Sequence, residues 1–134
     1  NAGNYWFINH SNNDSVHKTD DAANFTETSI YETQIFNGGT NSKRKKLLGV
    51  SLDTVALPAA GQAVLRYRID NETAYTTIFT NTTDNSLSNS AVNITSSGAT
   101  LPEFREIQFR IESTDNAEIV GISFQYEELE TRPY

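Results

Sequence analysis

At 134 residues the chain is about one domain long, enough to bury a hydrophobic core without staples. It has no Cys, which excludes disulfides and thiolate metal sites. A net charge of −7 argues against nucleic acid as the main partner, and no apolar run approaches the ~20 residues needed for membrane insertion.

Asn, Thr and Ser are abundant and Met is absent. Thr suits strands, while Asn and Ser suit turns, so the composition points to an all-β protein with short loops. The chain begins at Asn1 rather than Met and is expected to be a processed protein or a piece of a longer one. In chain order, "YWFIN" and "SVHKT" flank "HSNND" and predict a hairpin with an Asn/Asp-rich turn. The polar "DDAANFTET" reads as a linker or surface loop. Residues 1–28 are therefore an N-terminal hairpin and linker, belonging either to the same domain as the later strands or to the end of a preceding domain. Residues 29–134 form the main domain.

In that domain "SIYETQIFN" alternates Tyr31, Thr33 and Ile35 against Ile30, Glu32, Gln34 and Phe36, and stops at Gly38-Gly39. "LLGVSLDTVAL" is a longer strand ended by Pro58 and the loop "PAAGQ". "AVLRYRID" sets Leu65, Tyr67 and Ile69 against Val64, Arg66 and Arg68, and "AYTTIFT" comes after the turn-rich "DNET". "SAVNITSS" is a weaker strand. "EIQFRIES" puts Ile107, Phe109 and Ile111 on one face, and "IVGISFQYEEL" does the same with Val120, Ile122, Phe124 and Tyr126. With Asp115-Asn116 as the turn, these last two read as an antiparallel hairpin with one buried face. Strands at this spacing predict an antiparallel β-sandwich, jelly-roll-like, with a closed barrel as the alternative.

The run Lys43, Arg44, Lys45, Lys46 stands out in an acidic chain. It reads as solvated protection of a strand edge, with contact to an acidic partner surface as the rival. Catalytic chemistry is thin. The only histidines, His10 and His17, lie on the first hairpin, and no G-x-S-x-G is present, so no catalytic residue is assigned. Zinc lacks a third ligand of recognisable spacing. "NNDS", "DD", "TTDN" and "STDN" offer oxygens for calcium but match Asx turns better than a calcium loop. No metal or cofactor is therefore expected. Glu127, Glu128 and Glu130 read as a strand end facing water. Six N-x-[ST] triplets, at Asn9, Asn13, Asn24, Asn71, Asn81 and Asn93, are what this composition produces by chance. Tyr5 and Trp6 are neighbours in an extended segment, so one ring faces outward. With the basic run, they make the candidate contact set Tyr5, Trp6, Lys43, Arg44, Lys45 and Lys46.

The order "SIYETQIFNGG", "KRKKLLGVSLDTVALPAAGQAVLRYRID", "LPEFREIQFRIESTDNAEIVGISFQYEEL" resembles the C-terminal β-sandwich of tailed-bacteriophage virion proteins. That module often follows a β-propeller, and "NYWFINHSNNDSVHKTDD" looks like the end of a propeller blade. The resemblance lies in order and spacing over about residues 29–129 rather than in a single diagnostic motif. It implies a non-enzymatic structural or adhesion role in a virion tail, neck or fibre, with other virion subunits as partners, commonly as a homo-oligomer. It brings no catalytic residues. The alternative is a carbohydrate-binding module for a host or matrix glycan, using the Tyr5/Trp6 pair and Asn-rich loops. A hydrolase domain is the third reading.

Overall fold

Each alternating segment contributes a strand. The computed structural model describes residues 6–9, 15–18, 28–92 and 101–130. The strands are β1 (Trp6–Asn9), β2 (Ser15–Lys18), β3 (Ser29–Glu32), β4 (Lys45–Thr54), β5 (Gln62–Ile69), β6 (Thr76–Asn81), β7 (Ser88–Val92), β8 (Glu103–Phe104), β9 (Ile107–Thr114) and β10 (Ile119–Glu128). No helix occurs among the described residues. A first sheet has the order β3-β9-β5-β6 and a second has β10-β4-β7, with β8 also on β4. The β1–β2 hairpin is a sheet of its own, and all pairings are antiparallel.

The two larger sheets face each other across one core. Leu47, Val50 and Leu52 of β4 meet Leu65 of β5 and Ile107, Phe109 and Ile111 of β9. This is the expected all-β antiparallel sandwich preceded by a short hairpin. Sheets that share no hydrogen-bonded strand pair make it a sandwich rather than a closed barrel. The chain crosses between them repeatedly, from β3 to β4, β4 to β5, β6 to β7, β8 to β9 and β9 to β10, which is jelly-roll-like winding.

One expected pairing does not occur. The turn after β9 forms as predicted, with Asp115 and Asn116 left-handed at φ 51° and 62° and the Ala117 N–H bonded to the Thr114 carbonyl at 3.1 Å. Yet β9 lies between β3 and β5, while β10 pairs with β4. Each strand buries one face against the opposite sheet, so both show the alternation of a half-buried strand without lying side by side.

A β-bulge also breaks the expected row on β10. Between Ile119 and Gly121 the register slips, leaving Val120 as the extra residue, 69% exposed. The inward row is therefore Ile119, Ile122 and Phe124, all packed on the core. A second slip leaves Leu48 unpaired in β4, so its inward row runs Lys45, Leu47, Val50, Leu52.

The corner between β8 and β9 is held from a distance. Asp70, itself left-handed at φ 49°, accepts the N–H groups of Arg105 at 2.8 Å and Glu106 at 3.2 Å. One carboxylate thus fixes the β5–β6 turn to the start of β9.

Candidate functional site

The basic run heads β4, and β4 is the middle strand of its sheet, flanked by β10 on one side and by β7 and β8 on the other. The edge-protection reading is therefore corrected: among the described residues β4 is an interior strand, not an edge. The charges are answered within the molecule. Lys43 Nζ lies 2.8 Å from Glu128 Oε2, and Arg44 Nη1 lies 3.7 Å from Glu103 Oε2. Lys46 stands opposite Glu127 on β10 and Glu103 on β8. The hydrogen bond and charge of Lys43 hold the Glu128 carboxyl below the usual carboxylate range, and Glu128 in turn raises the Lys43 ammonium. Both groups are exposed, so solvent and salt screen the pair.

Lys45 departs from the other three. It is fully buried, at 0% exposure, because it belongs to the inward row of β4. Its ammonium donates to the carbonyls of Thr40 at 2.8 Å, Lys43 at 3.1 Å and Arg105 at 3.3 Å. Three donors meet three acceptors, which satisfies the group without a carboxylate. Lys45 is thus a structural clasp between the turn after Phe36, the head of β4 and the β8–β9 corner, and it drops out of the candidate contact set. Gly38 makes room for it: φ is +62°, and a Cβ there would stand 2.7 Å from Lys45 Cε.

The outer face of the first sheet carries a polar network. Tyr75 sits between the guanidiniums of Arg68 and Arg110, at 5.2 and 5.4 Å from its ring centre. Gln108 Oε1 accepts from Arg68 Nε at 2.7 Å and from the Tyr75 hydroxyl at 3.1 Å. Arg66 and Arg110 both approach Glu112 Oε1, at 3.0 and 3.1 Å. Desolvation raises the Tyr75 phenol, with the Arg68 charge acting in the opposite sense. The sequence signal for this surface was the outward half of each alternation, Arg66 and Arg68 against Gln108, Arg110 and Glu112.

The inner side of the sandwich is open at one flank. A cleft of about 620 Å³ lies between β3 and the first half of β10. All four residues of β3 are exposed. Tyr31 pairs with the buried Ile111 and so shares its inward face, yet it is 63% exposed. Ile119, Ile122 and Phe124 are only partly buried, whereas Leu47, Val50 and Leu52 on neighbouring β4 are at 1, 2 and 0% exposure. A second apolar feature lies at the end of β4. There the Leu87 carbonyl accepts from the Thr54 N–H at 2.8 Å, the Val55 N–H donates to the Glu118 carbonyl at 3.0 Å, and Thr54 pairs with Ile119. Those contacts bring Val55, Leu87 and the bulged Val120 to one end of the sheet, at 45, 63 and 69% exposure.

Tyr5 and His10 lie outside the described residues, Trp6 opens β1, and His17 is in β2 opposite Phe7. Among the described residues no group of three His, Cys, Asp or Glu side chains is placed to hold a metal ion. The Asn81 side chain is buried, bonded to the Ser86 hydroxyl at 2.9 Å and the Thr83 N–H at 3.1 Å, which leaves no room for a glycan there. No protein-family model matches the chain, and no curated protein or solved structure matches it either.

Proposed function

We propose that the chain is a non-enzymatic assembly module of a tailed-phage virion, acting by packing against neighbouring subunits. The observation that carries this reading is the exposure of Val55, Leu87 and Val120 at the same end of the second sheet. Three large aliphatic side chains from three chain segments stand exposed at one end of the sheet. Exposed apolar residues gathered in one place mark contact surfaces more often than chance surface. The resemblance in strand order to phage β-sandwich modules supplies the virion setting, and subunit packing is the role that such a surface serves.

The test begins with purified virus particles from the source sample. Mass spectrometry should find peptides of this chain in the particle fraction. Leu87→Asp should reduce co-purification with other particle proteins severalfold while the far-UV circular dichroism stays unchanged. Absence of the chain from particles overturns the reading. Glycan-array binding that is lost on Trp6→Ala would replace it with the carbohydrate-binding alternative.

A further inference from the structure

Among the described residues the sandwich is one strand short. Its first sheet is four strands wide. In the second, β7 and β8 succeed one another along the same edge of β4, at Gly49–Asp53 and Lys45–Lys46, so among the described residues that sheet is three strands wide. The missing position is beside β10, opposite β3. Its absence accounts for three observations together: the exposed β3, the inward but uncovered Tyr31, and the half-buried inward row of β10. Among the described residues, the outer edge of β10 has no partner strand, so it offers a ladder of main-chain donors and acceptors above an apolar cleft.

The topology indicates which strand belongs there. Ser29 starts β3 opposite Ser113 and lines the cleft with Ile119, so the chain enters β3 at the Ile119 end of β10. A strand antiparallel to β10 would finish at that same end and cross directly into β3. This is the sheet-to-sheet crossing that the chain makes between β3 and β4 and again between β4 and β5. The element ahead of β3 is the β1–β2 hairpin, which among the described residues pairs with no strand of the other sheets. A lone two-stranded sheet is marginal in water. The stretch 19–28 reaches about 33 Å when extended, comparable with the length of β10.

We propose that the β1–β2 hairpin of the same chain adds to the outer edge of β10 through β2, widening the second sheet and covering the cleft. The hairpin then belongs to the sandwich rather than to a preceding domain. This inference concerns a contact within one chain and does not rest on the virion reading, although Val120 belongs both to the cleft lining and to the exposed residues of that reading.

Trp6, in β1, is the only tryptophan, and the absence of Cys permits clean labelling of introduced cysteines. In the full chain, Trp6 emission should be blue-shifted and shielded from acrylamide. Tyr31→Asp should shift that emission to the red and raise quenching severalfold, with the circular dichroism of the sandwich retained. Spin labels on His17→Cys and Gln125→Cys should show a short separation that persists when labelled protein is diluted with an excess of unlabelled chain. Emission like that of free indole, indifferent to Tyr31→Asp, overturns the proposal. So does a label separation that vanishes on dilution, which would assign the edge to the hairpin of a second copy.

Discussion

Lys45 is the residue whose chemistry the sequence conceals most completely. It stands in a run of four positive charges, where a solvated side chain is the ordinary expectation. Strand geometry separates it from its neighbours, since alternate residues of β4 face opposite ways and Lys45 takes the inward phase. Burial is tolerated because three carbonyls replace the water lost from the ammonium. Replacing Lys45 by Ala orphans those carbonyls and opens a cavity, a loss of roughly 3–5 kcal/mol in urea unfolding. Gly38→Ala should cost about 1–2 kcal/mol from its left-handed backbone, with a further penalty from the 2.7 Å approach to Lys45. In the double variant the second penalty disappears, because the new methyl group enters vacated space. The combined loss should fall short of the sum of the single losses, and strict additivity would mean that the two residues do not share that space.

At the scale of elements, the strands were legible and their partners were not. Ile107, Phe109 and Ile111 announce a half-buried strand through simple alternation, and Asp115-Asn116 announces its turn. Nothing local distinguishes a turn that folds β10 back beside β9 from one that sends it to the other sheet. Bulges are equally silent. Val120 reads as core by period two and emerges at the surface because one extra residue shifts the phase. The acidic "YEELE" and the basic "KRKK" were both visible, and their pairing across 85 residues through Lys43 and Glu128 was not. Asp70 is a similar long-range tie, since its role depends on where the β8–β9 corner lands. Asp70→Ala removes the acceptor of two backbone N–H groups and should cost about 1.5–3 kcal/mol, read as a lowered urea midpoint. Asp70→Asn, which keeps one acceptor oxygen, should recover part of that loss. Equal losses from both variants would show that the hydrogen bonds are not what the carboxylate contributes.

For the whole molecule, the core is complete around β4, β5 and β9 and thins toward β3. Native-state hydrogen exchange should track that gradient. The slowest amides are expected in β4, β5 and β9, with β3 exchanging much faster; protection in β3 equal to that in β5 would contradict the gradient. The pairing of β4 with β10 also ties folding to the clock of translation. Residues 45–54 leave the ribosome long before residues 119–128, the strand that must lie beside them, have been made. At about 5–20 residues per second that interval lasts for seconds, with "LLGVSL" lacking its partner. The Lys43–Lys46 run at the head of this segment then acts as a gatekeeper, its charges opposing association with other nascent chains. Three of those charges are neutralised by carboxylates or buried once the later strands arrive: Lys43 and Arg44 meet Glu128 and Glu103, and Lys45 withdraws into the core.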